Sequence, residues 1–190
     1  MVKCAVAFTE AAGEVMLQEM TGFRFCPACG AETLMGDSAK SMRCRACGFR
    51  YFHNVAVAVS LLLQVDGDLL LTRRAHAPAQ GLLDFPGGFV DPHENLEQAL
   101  VRELREELDL DLDPDALRYR FSGFNRYLFA DVTYLTADAF FGLELPERPA
   151  LRCADDVAAV EWHPLAAVPR AELAFPIVAE AVMRLREFAR

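Results

Sequence analysis

Apolar residues dominate positions 55–63, and a second apolar stretch, 69–74, follows the turn residues Asp66, Gly67 and Asp68. The first stretch reads as a strand and the second as its hairpin partner. Residues 75–82, with Pro78 and Gly81, read as a loop. Asp84, Phe85, Pro86, Gly87 and Gly88 read as a short strand ending in a glycine turn. The period then changes. Leu96, Ala99, Leu100, Leu104 and Leu108 recur at helical spacing within 95–108, and residues 109–114 stop that helix. Strand-like stretches follow at 117–124, 132–145 and 157–162, and 175–188 reads as a closing helix. Strands interleaved with two amphipathic helices predict an α/β domain, a mixed sheet sandwiched between helices. Residues 1–22 are weakly patterned and read as an N-terminal extension, with Met20 an alternative start. Residues 23–52 are too short for a hydrophobic core of their own, and 53–190 form the main domain.

The length of 190 residues fits one domain with a small appendage. A chain of this size buries about 70% of its surface without staples. With 53% hydrophobic and 25% charged residues the composition is globular rather than disordered. No apolar run approaches the roughly 20 residues that cross a bilayer, and Glu10 and Glu14 fall too early for a secretory signal. The expectation is a cytoplasmic protein without a membrane partner. A net charge of −9 argues against non-specific nucleic-acid binding. The charge is uneven, however. Residues 20–53 carry five bases against two acids, whereas 88–115 carry ten acids against two bases. So acidic a block is either a solvated face or a site for divalent cations, and spacing decides.

Cys26 and Cys29, each pair followed by Gly, and Cys44 and Cys47 form two C-x2-C motifs separated by fourteen residues. Two thiolates three residues apart chelate one tetrahedral zinc, so the four cysteines are read as a closed, structural Zn²⁺ site in a zinc ribbon. Redox or disulfide cysteines are the competing reading, and a cytosolic chain disfavours it. Four thiolates and one Zn²⁺ sum to about −2, which brings the ribbon's +3 to about +1 and weakens a nucleic-acid role. Cys4 and Cys153 are read as ordinary small residues.

Advancing about 100° per residue along the helix, Glu103, Glu106 and Glu107 share an arc of about 100° that borders the apolar stripe. Like charges at such spacing destabilise a helix by about 0.2–0.5 kcal/mol per pair, and a shared cation offsets that repulsion. Hard carboxylate oxygens favour Mg²⁺ or Mn²⁺, which in turn takes substrate phosphates as further ligands. The bland alternative is a solvated glutamate face paired with Arg102 and Arg105.

The stretch Gly88, Glu94, Arg102, Glu103, Leu104, Glu106, Glu107, Leu110 resembles the Nudix box, G-x5-E-x7-R-E-U-x-E-E-x-G-U. One defined position departs: the late glycine is Asp109, a place that requires left-handed backbone, which Asp tolerates at a small cost. His93 stands where many members have Gly, and Leu83 where many have Trp. The ribbon followed by Tyr51, Phe52, His53, Asn54 and an apolar strand is similar to the N-terminal module of NADH-pyrophosphatase-like Nudix proteins. The resemblance is to the Nudix hydrolase superfamily, in its zinc-ribbon-containing NADH-pyrophosphatase-like or ADP-ribose-pyrophosphatase-like branch, and covers roughly 23–190. It implies a Nudix α/β/α sandwich with a mixed sheet, preceded by the ribbon.

The resemblance also implies hydrolysis of a nucleoside diphosphate linked to another moiety, a small dinucleotide or nucleotide sugar such as NAD(H) or ADP-ribose. Glu103, Glu106 and Glu107, with the Gly87 carbonyl, would hold Mg²⁺ or Mn²⁺. Arg102 would orient Glu103 with Glu94 as its partner. Glu106 is the first candidate for the proton acceptor and Asp156, beside Asp155, the second; for Asp156 a plain loop acid is the alternative. After the box this chain has Phe121-Ser-Gly-Phe-Asn-Arg-Tyr-Leu-Phe, retaining only a serine and aromatic character of the NADH-pyrophosphatase SQPWPFPxS motif. Phe121, Phe124, Tyr127 and Phe129 are candidates for stacking on a base, against a core role. Arg73, Arg74 and Arg126 are candidates for phosphate contact. Two rivals stand: an RNA 5′-end processing Nudix enzyme and a non-catalytic Nudix ligand sensor. The ribbon either caps a sheet edge or builds a homodimer interface.

Overall fold

A computed structural model describes residues 23–38, 40–129 and 132–188; the expected N-terminal extension, 1–22, and Cys4 lie outside the described residues. The chain divides into two units, one of the described residues up to Val55 with those of Leu128–Tyr134, the other of Ala56–Tyr127 and the described residues from Leu135 on. In the first unit β1 (Leu34–Ser38), β2 (Ser41–Cys44) and β3 (Arg50–Phe52) form an antiparallel sheet in that order. Its buried cluster is Cys26, Leu34, Met42 and Cys44, with Phe23 packed against it. So few apolar groups do not make a self-sufficient core.

The second sheet has seven strands: β4 (Ala56–Val65), β5 (Asp68–Arg74), β6 (Leu83–Asp84), β7 (Gly87–Phe89), β8 (Arg118–Phe129), β9 (Val132–Glu144) and β10 (Val157–Pro164). The strand order is β10-β5-β4-β9-β8, with β6 on β5 and β7 on β4. β4 and β9 run parallel, from Ala56 opposite Thr136 to Gln64 opposite Glu144, while β5, β7 and β10 pair antiparallel, so the sheet is mixed as expected. Pleat alternation sorts the apolar run of β4 onto two faces. Val59, Leu61 and Leu63 pack with Leu100, Leu104 and Leu108 of helix α1 (Leu96–Leu108), and Leu62 packs with Ile177, Val178 and Ala181 of helix α2 (Pro176–Phe188). The sheet therefore lies between two helices, the α/β/α arrangement.

One irregularity creates the site. β4 and β5 pair beside their turn, Gln64 with Leu69 and Val65 with Asp68. Further on they part, and residues 83–89 fill the opening. β6 takes up β5 at Thr72 and Arg73, and β7 takes up β4 at residues 58–60. The glycine turn expected after Asp84 is thus two short strands with Phe85 and Pro86 between them.

α1 begins with a reciprocal cap. The Gln98 amide donates to Asn95 Oδ1 at 2.8 Å and the Asn95 amide to Gln98 Oε1 at 3.0 Å. It ends in a Schellman turn, with Leu110 N–H donating to the Leu104 carbonyl at 3.2 Å. Asp109 adopts φ 54 and ψ 35 there, the left-handed backbone its position demands. His93, before the helix, has φ 77. Both side chains are exposed.

L-residues in this region carry a cost of about 1–2 kcal/mol that glycine escapes, partly offset by glycine's greater freedom when unfolded. Asp109→Gly and His93→Gly are each expected to raise stability by about 1 kcal/mol. The measurement is a urea midpoint shift at unchanged slope; a lowered midpoint would show that the side chain contributes more than its backbone strain costs.

Candidate active site

The third turn of α1 and the β6–β7 segment face each other across the opening between β4 and β5. Gly87 has φ 139, and a Cβ there would stand 2.1 Å from the Val59 carbonyl oxygen. A side chain is excluded, which lets the Gly87 N–H reach Glu107 Oε2 at 3.0 Å. Gly88 serves the same end: a Cβ would fall 2.4 Å from Glu103 Oε1. The backbone of β7 therefore lies directly against two box glutamates.

Arg102 organises the outer part. Its Nε and Nη2 donate to the two oxygens of Glu94 at 2.8 and 3.0 Å, and Nη2 also donates to the Phe89 carbonyl at 3.0 Å. Nη1 bridges Glu103 Oε1 at 2.9 Å and Glu106 Oε2 at 3.0 Å. The fork geometry of guanidinium suits this fourfold demand, which a lysine cannot meet. The three glutamates differ in depth. Glu107 is buried, the Glu103 side chain is 14% exposed and that of Glu106 50% exposed.

Burial pushes the Glu107 carboxyl up to about 8, against the pull of the Gly87 amide, and Glu103, Asp84 and Asp156 add like-charge repulsion. Burial also raises Glu103, with Arg102 opposing and Glu106 and Asp155 repelling. Asp84 is raised to about 6 by burial, although Arg74 Nη1 donates to its Oδ2 at 3.1 Å. Glu94 is held low by its hydrogen bonds from Arg102. A set of hard oxygens crowded in this way matches the donor chemistry of a divalent cation.

A cavity of about 120 Å³ opens in front of Glu107 and Gly87. Asp156 and Tyr127, both anticipated, line it, as does Arg74. The Arg74 Nη2 donates to the Tyr127 hydroxyl at 3.2 Å and its guanidinium lies 5.2 Å from the Phe175 ring centroid. Other candidates are not brought here; strand parity is the reason for Arg73, Phe124 and Arg126, whereas Phe121 and Phe129 share the parity of Tyr127 and lie further along β8 on either side. Phe121 is core: its ring centroid lies 5.0 Å from that of Phe140, and it is 7% exposed. Phe124 sits an odd number of residues from Tyr127 and is 60% exposed, away from the cavity. Arg126, also of opposite parity, does not line it. Phe129 is exposed. Arg73 points away from Arg74's side and is bound by Glu161, by Glu172 at 2.7 Å and by the Gly81 carbonyl at 2.9 Å. Asp84, Phe89, Phe175, Asn125, Thr136 and Asp138 line the cavity without having been singled out. Asp138 carried a signal: it is a charge in mid-strand, in step with Thr136 and Phe140 and flanked by apolar residues.

In the first unit the cysteine sulfurs have converged. Cys26 and Cys47 Sγ lie 3.7 Å apart, as do Cys29 and Cys44, and all four lie within 4.8 Å of one another. A tetrahedron with metal–sulfur distances of about 2.3 Å has edges of about 3.8 Å, so the set fits zinc. The Thr33 hydroxyl, 3.2 Å away, followed by the Cys47 and Ala46 amides, draws the Cys44 thiol down to about 6.

Comparison with known proteins agrees with this geometry. The NAD-capped RNA hydrolase NudC of Stutzerimonas stutzeri is 34% identical over 91 residues, 48% of this chain and 33% of that protein. The ADP-ribose pyrophosphatase of Methanocaldococcus jannaschii is 40% identical over 62 residues, 33% of this chain and 37% of that one. The matched segments thus span about a third of these relatives' length. Among solved structures, the NUDIX domain of Shewanella oneidensis NrtR, complexed with ADP ribose, superposes with a TM-score of 0.60 at 25% identity, covering 73% of this chain and 91% of that one. A Nitrosomonas europaea NUDIX hydrolase shares the fold at a TM-score of 0.63 and 23% identity, over 87% of this chain and 91% of that one. The NUDIX domain profile matches residues 52–184. With the box residues gathered around the β6–β7 turn and this match across most of its length, the chain belongs to the NUDIX domain family.

Proposed function

We propose that this protein hydrolyses the phosphoanhydride of a nucleoside diphosphate linked to a second moiety, with ADP-ribose or NAD(H) as the substrate type, in the presence of Mg²⁺ or Mn²⁺. The observation that carries the reading is Glu107: a buried carboxylate, crowded by other acids, at the wall of a cavity. Its burial is costly unless a cation faces it. The NrtR complex with ADP ribose and the ADP-ribose pyrophosphatase relative support the substrate class.

Glu103, Glu106 and Glu107, with the Gly87 carbonyl, would hold the divalent ion. When bound, it supplies charge neutralisation at the bridging phosphates and a more acidic water. Arg102 positions Glu103 and Glu106 through one nitrogen and is itself anchored by Glu94. Arg74, beside Tyr127 and Phe175, contributes positive charge to the cavity wall. Both Asp156 and Glu106 are exposed, but Asp156 lines the cavity, whereas Glu106 does not and is tied to Arg102. This favours Asp156 as the proton acceptor. The cysteine set would hold one structural Zn²⁺, with all four positions taken by sulfur.

A second reading follows from the relatives named NAD-capped RNA hydrolases. There the same bond is cut with an RNA chain attached. Rates measured across a salt series separate the two: RNA contacts give a steep fall, a small dinucleotide a shallow one. A non-catalytic sensor fits less well, because the full set of box glutamates and Arg102 is in place.

The direct test is a panel of nucleoside diphosphate derivatives with Mg²⁺ and identified products. Glu107→Gln and Glu106→Gln are expected to fold and to lose about 10²–10³-fold or more in kcat. Unchanged turnover in either variant would refute its role. Metal-free protein is expected to lose stability as pH rises. The unfolded Glu107 releases its proton near the ordinary 4.5 and the folded one near 8, so over that window the unfolded state binds fewer protons. Asp84, raised to about 6, adds to the lower part. Glu107→Gln should flatten the upper part of the urea midpoint profile, between about 6 and 8, if burial of this carboxylate is the cause. Finally, chelation should release one zinc per chain and abolish amide protection in 26–52 while leaving the α1 amides protected. Equal protection in the ribbon before and after metal removal would exclude a structural zinc.

A further inference from the structure

The far end of the cavity holds polar groups that the hydrolytic machinery does not use. Asp138 and Thr136 on β9 and Asn125 on β8 line it, with exposures of 7%, 2% and 9%. Burial pushes the Asp138 carboxyl up, opposed by the neighbouring Thr136 hydroxyl and Asn125 amide. Among the described residues, neither Asp138 Oδ1 nor Thr136 Oγ1 makes a hydrogen bond of full geometry. A buried acceptor left unsatisfied costs about 1–3 kcal/mol, more when charged. Two such atoms, side by side on one strand face and facing a cavity, are costly unless a ligand completes them.

The shape of the place narrows the ligand. Aromatic side chains stand around it: Tyr127 lies 5.4 Å from Phe89 and 5.8 Å from Phe175, centroid to centroid. The whole cavity, from Gly87 and Glu107 to Asp138, has about 120 Å³, of the order of the roughly 150 Å³ that admits a benzene ring, so it does not enclose a whole dinucleotide. Register sets the distance to the metal-binding end. Gly87 pairs with Ser60, and Ser60 with Phe140; Asp138 lies two residues before Phe140 on the next strand. Strand spacing and rise place the Asp138 and Gly87 backbones about 12 Å apart. That is the reach of a nucleoside monophosphate, too far for a ribose hydroxyl next to the scissile phosphates.

We propose that Asp138, with Thr136 and Asn125, recognises the amino-bearing edge of an adenine whose diphosphate lies at Glu107 and Gly87. The Asp138 carboxylate accepts from the exocyclic amine. The Thr136 hydroxyl or the Asn125 amide donates to the adjacent ring nitrogen. Deamination exchanges that donor for a carbonyl, which the carboxylate repels, so the pocket excludes hypoxanthine. This specificity rests on the nucleoside diphosphate reading above.

The test compares ADP-ribose with inosine diphosphate ribose for the wild type, Asp138→Asn and Thr136→Val, with AMP and IMP titrations as a binding arm that needs no chemistry. The wild type is expected to prefer the adenine compound by about 10- to 100-fold in kcat/KM. Asp138→Asn, whose amide donates to the carbonyl of hypoxanthine, should cut that ratio at least about tenfold, and Thr136→Val should lower it too. A merely structural role for Asp138 would lower both rates together and leave the ratio where it was. An unchanged ratio in Asp138→Asn overturns the proposal. So do equal wild-type affinities for AMP and IMP, a result that stands even if Asp138→Asn does not fold. Hydrolysis of both ADP-ribose forms at equal rates removes the adenine site and keeps the hydrolase; Asp138-dependent preference for AMP without cleavage of any diphosphate does the reverse.

Discussion

The contact between the Gly87 amide and the Glu107 carboxylate is the constraint around which the site is built. It requires a strand that approaches β4 so closely that no Cβ fits, and a helix whose last turns lie over that strand. It also brings a carboxylate into surroundings that oppose its charge. In the low local dielectric a cation placed beside it would gain more than it would in water. Arg102 performs the complementary task at the rim, keeping Glu103 and Glu106 from repelling each other apart.

The parting of β4 and β5 explains how one segment serves both ends of the cavity. A continuous pairing would have closed the sheet and left no opening. Because residues 83–89 divide between the two strands, Asp84 and Arg74 fall on one wall, Gly87 and Glu107 on another, and β9 supplies the polar floor. Pleat parity then selects which neighbours take part. Arg74 faces the cavity and Arg73 does not; Tyr127 does and Phe124 and Arg126 do not. Chemically similar residues one position apart thus have unrelated duties.

The cysteine unit shows a different economy. Its buried cluster is a handful of side chains, so little area is removed from water, and two of them, Cys26 and Cys44, belong to the converged sulfur set. The turn glycines after each cysteine pair take left-handed backbone and close both loops, the Gly30 and Gly48 amides donating to the Cys26 and Cys44 carbonyls.

What the sequence by itself determined was whatever depends on short range. Helical spacing placed Glu103, Glu106 and Glu107 on one side of α1, residues 109–114 ended that helix, the C-x2-C pairs marked the cysteine cluster, and the αL demand at residue 109 was legible from an aspartate where glycine is usual. Apolar stretches marked the strands, though β8 ran on to Phe129 because pairing with β9, not its own composition, sustains it. Only the tertiary structure decided which strands part, and therefore which of the aromatic and basic candidates reach the cavity. It alone joined Asn125, Thr136 and Asp138, buried Glu107 and left Phe124 in solvent. The physical reason is that burial and unsatisfied hydrogen bonds are set by neighbours distant along the chain, whose register no local pattern specifies.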